Sequence, residues 1–226
     1  MSKEKQTIDE HNKIKKIKIN ASEYFKQTKP VAVLYFKTLT NYRKKLDKLH
    51  PIKWQKQPNK VNGITMASVA NSEDEISQNN KLYKNYEKYN YSENILCGSI
   101  LQIAFTAIEM FSNNSDYPIK YNDIFKSEHK AIKFCIGREI AKTNIGLIIY
   151  AGRNQFVHWQ DDYVNNMTKR IFEGIEIEYY NNPTMDLAYS LSNPMIRIHA
   201  KYIVLHLLKW KSYSNYINDM NQIIKE

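Results

Sequence analysis

The sequence predicts a mostly or all-α protein, a helical bundle. Apolar residues recur at helical spacing over long segments, strand signals are scarce, and no internal repeat is present. The apolar run ILCGSILQIAFTAIEMF, residues 95–111, is long enough for a central helix.

The elements follow in order. Residues 1–20 form a polar, charged arm. From Pro30 the pattern PVAVLYFKTLTNYRKKLDKL is helical, with Val33, Phe36, Leu39 and Leu46 near one face and Pro30 in the first turn. His50-Pro51 ends this helix, and residues 51–66 read as irregular. Residues 71–91, NSEDEISQNNKLYKNYEKYNY, are polar and rich in Asn and Tyr, the composition of a linker or exposed loop. The main domain is expected from Ser92, with an apolar helix over 93–112 and a loop over 113–123. A helix is expected over about 127–149, with Gly137 and Gly146 weakening it, and continuing to about 172. Residues 173–183 alternate apolar and acidic side chains, as a short strand or extended connection does. Residues 194–223 are the longest periodic segment, with Ile198, Ile203, Leu207, Trp210 and Ile217 among its apolar positions. The expected division is a basic arm and helix over 1–70, a linker over 71–91 and a helical domain over 92–226.

Bulk properties narrow the class. The 226 residues, 42% hydrophobic, describe a soluble globular chain of one domain or one domain with an appendage. The 95–111 run contains Gln102 and Glu109 and falls short of a comfortable membrane span, so a buried helix is expected there and no membrane partner. The charged N-terminus lacks a secretory h-region, which points to the cytoplasm. Cys97 and Cys135 sit in apolar contexts, as core residues in a reducing compartment do, and no Cys/His group has zinc spacing. No metal or other cofactor is expected. The net charge is +10, and residues 1–60 carry 16 Lys and Arg against 5 Asp and Glu. That surplus points to an anionic partner, nucleic acid first.

The residues that carry chemistry lie in YAGRNQFVHWQD, residues 150–161. Arg153 is followed directly by Asn154, and His158 comes after four intervening residues. Five helical positions turn through about 500°, so Arg153 and His158 point about 140° apart, whereas Asn154 and His158 share a face. Arg43 and His50 are likewise separated by a short interval, six residues, but Lys44 follows that arginine. Arg, a small polar residue and then His, after the apolar helix GLIIYAGRNQ, resembles the HEPN superfamily signature. The resemblance covers about residues 92–215, and its specific part is short.

The resemblance implies a metal-independent endoribonuclease that works as a homodimer, with both motifs in one cleft at the interface. His158 would handle protons near neutral pH, Arg153 would hold phosphate oxygens, and Asn154 would position the histidine or the phosphate. A 2′-OH attacking its own phosphodiester gives a 2′,3′-cyclic phosphate and a 5′-OH, and DNA lacks that nucleophile. Gln155, Trp159, Lys44 and Lys45 are candidates for RNA contacts, with core packing the other reading of Trp159. Glu139 is a candidate partner of Arg153. Family members often act as toxins or anti-phage effectors silenced by an antitoxin or regulatory partner. The alternatives are a non-catalytic HEPN-like module that binds nucleotides or nucleic acid, and a basic protein binding through residues 1–60. In that block Tyr35, Phe36, Tyr42 and Trp54 interleave with lysines.

Overall fold

The computed structural model describes residues 19–48, 59–61, 64–66, 73–122, 125, 130–158, 166–180 and 200–224. The fold is mostly α. Its helices are α1 (Ala21–Lys48), α2 (Glu73–Phe111), α3 (Ile145–Val157), α4 (Asn166–Tyr180) and α5 (Tyr213–Ile223). Two short antiparallel ribbons accompany them, β1 (Asn59–Val61) with β2 (Ile64–Met66) and β3 (Glu139–Ile140) with β4 (Thr143–Asn144).

Helix α1 begins nine residues before Pro30. The side-chain carbonyl of Asn20 accepts the Glu23 backbone N–H at 2.8 Å, a cap that satisfies one of the first unpaired donors. Glu23 in the first turn complements the helix dipole. Pro30 therefore lies inside the helix, on its exposed side, where the carbonyl it leaves without a donor can face water. Phe36 and Leu39 are buried as expected, while Val33 is 39% exposed and Ala32 takes its place in the core.

Helix α2 is the axis of the bundle. Over 39 residues it spans about 58 Å. The segment expected as a linker is helical from Glu73 onward and continuous with the apolar half. Between Glu73 and Phe111 the chain has no proline and one glycine, so its polar residues contain nothing that breaks a helix. The stretch Lys84–Phe111 is long and apolar enough to cross a membrane by length and composition alone. Cys97, Ile100, Leu101, Ala104, Ala107 and Ile108 in it are nonetheless buried against α1, α3 and the 200–208 segment.

The helix expected over 127–149 is not one element. A 3-10 turn, Lys130–Phe134, leads through Gly137 into the β3–β4 ribbon, and only then does α3 start. Gly137 has φ +84, and a Cβ there would lie 2.8 Å from Ile145 and 2.9 Å from Ile223, so this turn requires glycine. Asn144 fixes the start of α3. Its amide donates to the Gly137 carbonyl at 3.0 Å, and its side-chain oxygen accepts the Tyr121 hydroxyl at 3.0 Å.

Residues 173–180, expected as extended, belong to α4. The buried positions Met167, Thr168, Ile171, Phe172 and Ile175 follow a helical period, which outweighs the local alternation. The long C-terminal helix is also divided. A π-helical turn, Tyr202–Leu207, gives way at Lys209, whose φ is +58, and Ser212 caps α5 by accepting the Asn215 N–H at 3.3 Å. The expected helical residues 194–199 lie outside the described residues.

Candidate functional site

Helix α3 is wholly apolar or small up to Ile149 and buries that half in the core. Its last two turns rise toward the surface along α2. Phe156 lies on Gly98 so closely that a Cβ at position 98 would fall 2.3 Å from the ring. Tyr150 lies one and a half turns earlier, its ring 6.0 Å from Phe105. Helices α3 and α2 thus run antiparallel here.

That alignment brings Arg153 onto α2. Its Nε donates to Gln102 Oε1 at 2.8 Å, and its Nη1 donates to Asn154 Oδ1 at 3.1 Å. The guanidinium carbon lies 4.7 Å from the Phe105 ring centroid, a cation–π distance. Gln102 in turn donates to Thr106 Oγ1 at 3.1 Å. Thr106 also engages the Tyr24 hydroxyl, which donates to the Ile103 carbonyl at 3.0 Å. A row of polar side chains therefore crosses three helices, from Tyr24 through Thr106 and Gln102 to Arg153 and Asn154.

The electrostatics of this row are one-sided. Among the described residues Arg153 has no carboxylate partner, and its Nη2 makes no hydrogen bond. Among the described residues its partners are neutral amides and an aromatic face, which orient its positive charge. Burial raises the Tyr150 phenol above its ordinary range, and a hydrogen bond with Asn154 and the Arg153 charge partly oppose that. Tyr150 is accordingly a neutral hydroxyl beside the arginine.

His158 ends the helix. It is the C-cap, with φ −104 and ψ 27, and its N–H donates to the Asn154 carbonyl at 3.0 Å. It is exposed, one turn beyond Asn154 and on the same face. The structure brings Arg153 and Asn154 into contact and places His158 at the adjoining surface. Gln155 is half-buried two positions after Arg153, on the far side of the helix. Trp159 lies outside the described residues, as does any helix continuing directly beyond His158. Lys44 and Lys45 are exposed near the end of α1, with Lys45 Nζ 5.2 Å from the Tyr89 ring. Tyr89 precedes Gln102 by 13 residues, about 20 Å along α2, so these lysines form a separate patch.

One pairing differs from expectation, and a second was not anticipated. Glu139 pairs with Lys120 instead of Arg153. Arg138 forms a two-pronged ion pair with Asp219, both contacts at 2.9 Å, while Trp210 Nε1 donates to the same carboxylate at 2.7 Å. Sequence reasoning missed Gln102, Phe105, Thr106 and Tyr150 as members of the site. The available signal was Gln102, a polar side chain within an apolar helix.

Cys97 and Cys135 are free and buried, as expected of core thiols. Burial raises both, Cys135 to about 12, which leaves them protonated and unreactive at neutral pH. Phe36 is 4% exposed and its ring lies 6.0 Å from Tyr216, so it is core and unavailable to a base. Among the described residues no three His, Cys, Asp or Glu side chains gather as a metal site would require. Comparison with protein-family models, with curated proteins and with solved structures finds no match to this chain.

Proposed function

We propose that this chain is a HEPN-type endoribonuclease acting without a metal, with Arg153, Asn154 and His158 as its catalytic residues. The observation that carries the reading is the state of Arg153: a guanidinium fixed by Gln102, Asn154 and Phe105, with no carboxylate among the described residues and Nη2 left over. Such a group suits a phosphate, whose oxygens accept hydrogen bonds from a guanidinium held in place. His158, exposed one turn away, has the imidazole chemistry to take the 2′-OH proton or to protonate the leaving 5′-oxygen. The products are a 2′,3′-cyclic phosphate end and a 5′-OH end.

Arg153 and His158 diverge by about 140° on one helix, so a single chain offers them on different faces. A second copy related by a two-fold axis would set the His158 of one subunit beside the Arg153 of the other. Exposed Tyr91 and Ile95 on α2 and Val157 on α3 suit such an interface, since they surround the same end of the α2–α3 pair. RNA cleavage of this kind fits a toxin or anti-phage effector in the cytoplasm, restrained by a regulatory partner.

The test uses wild type and His158→Ala with end-labelled single-stranded RNA in EDTA, followed by analysis of the 3′ ends. Cyclic phosphate ends from wild type alone are expected. Equal cleavage by both proteins would remove His158 from the mechanism. The rival reading, a binding module without catalysis, is favoured by the Arg153–Gln102 bond, which could equally brace α3 against α2. It predicts RNA retention without cleavage by a folded dimer.

A further inference from the structure

A groove of about 710 Å³ lies between the first turns of α1 and one face of α5. Phe25, Lys26 and Lys29 line it from α1, and Tyr213, Ile217 and Asn221 from α5. The two helices pack together further along, where Phe36 meets Tyr216, and leave the groove open to solvent at the start of α1. No acidic side chain lines it. The nearest carboxylate on α1, Glu23, accepts the Gln27 side-chain amide at 2.9 Å. Among the described residues neither Lys26 nor Lys29 is in an ion pair.

We propose that this groove holds single-stranded RNA outside the Arg153 site, with backbone phosphates on Lys26 and Lys29 and a base against Phe25 and Tyr213. The inference rests on RNA being the substrate. Two lysines beside two aromatic rings in an open channel match the two features of a single strand, a charged backbone and flat bases. Phe25 packs edge-on against Tyr24, the first residue of the polar row that ends at Arg153. Residues 1–18 carry six lysines against Glu4, Asp9 and Glu10, a surplus of positive charge. Like charge disfavours that arm as the occupant, and the same charge adds to attraction for a polyanion.

The experiment measures binding of a fluorescent single-stranded oligouridylate to full-length His158→Ala protein across a salt series. Lys26→Gln/Lys29→Gln is added to that background, and Lys84→Gln/Lys88→Gln serves as a control of equal charge. The groove variant is expected to weaken binding about tenfold and to lower the slope of log affinity against log salt by about 1.4, with the control well short of both. A 2-aminopurine reporter in the strand should be quenched on binding, and Phe25→Leu should relieve the quenching. Equal effects of the groove variant and the control would overturn the proposal. So would loss of uridine monophosphate binding with oligonucleotide binding intact, since the groove would then be a small-nucleotide pocket. Cleavage by wild type with no groove effect on binding leaves the nuclease reading standing alone. Groove-dependent binding without cleavage leaves the groove standing alone.

Discussion

Arg153 and Gln102, 51 residues apart in sequence, are joined by a 2.8 Å hydrogen bond from Nε to Oε1 that ties α3 to α2. The bond orients a cation without neutralising it. Replacing Gln102 by Glu keeps the geometry and places a negative charge beside Arg153. Gln102→Glu is expected to hold or slightly raise thermal stability while lowering RNA affinity and cleavage at least tenfold. Gln102→Leu is expected to cost about 1 kcal/mol of stability, the worth of one hydrogen bond. Thermal melts with binding titrations distinguish the two. Stability lost in both with RNA affinity unchanged would make Arg153 a brace only.

Asp219 gathers three donors, two from Arg138 and one from Trp210, and Trp210 is fully buried. Asp219→Ala leaves a buried indole N–H without its acceptor and separates α5 from the β3 end of the chain. Arg138 is 41% exposed, so water screens part of its loss, and the expected destabilisation is about 2 kcal/mol. Denaturant unfolding measures this. RNA cleavage at low temperature should be unchanged, because this network does not touch the α2–α3 site.

Gly98 lets Phe156 lie flat on α2. Gly98→Ala puts a methyl group 2.3 Å from the ring, so the half-exposed Phe156 must turn outward. The predicted stability cost is small, about 1 kcal/mol, because that side chain has room at the surface. The predicted loss of cleavage is larger, since His158 sits two residues beyond Phe156 at the same helix end. A parallel fall of both quantities would argue against any special dependence of His158 on this packing.

The parts of the fold legible in sequence are those with local cause. The apolar helix at 95–111 and the Arg153–Asn154 adjacency follow from periodicity and position. Pro30 suits a first turn and so predicts too short an α1, although the Asn20-x-x-Glu23 pattern is a local sign of the earlier cap. The polarity of the half of α2 before Ser92 suggests a linker, and only the absence of a helix breaker over that stretch argues against it. The division at Lys209 depends on Arg138, which bonds the Leu208 carbonyl at 2.9 Å across 70 residues. Gln102 and Phe105 joined the site for the same reason: only tertiary packing brings them to Arg153.

Alkaline stability gives the last prediction. Burial raises Cys135 to about 12, against about 9 in the unfolded chain, so between those values the unfolded state loses a proton that the native state keeps. The unfolded state then binds fewer protons, and stability falls as pH rises from about 9. Tyr24, Tyr121 and Tyr150, all raised chiefly by burial, add to the decline once pH passes the ordinary phenol range near 10. Wild type is therefore expected to lose stability progressively above pH 9, and more steeply above pH 10. Cys135→Ala removes its own contribution and should make the decline between pH 9 and 10 shallower, while the share of Cys97, also raised by burial, and the steeper tyrosine limb stay. Denaturant midpoints measured from pH 8 to pH 11 on both proteins test this in about one-unit steps. Superimposable slopes for wild type and Cys135→Ala would mean that the thiol titrates alike in the folded and unfolded chains.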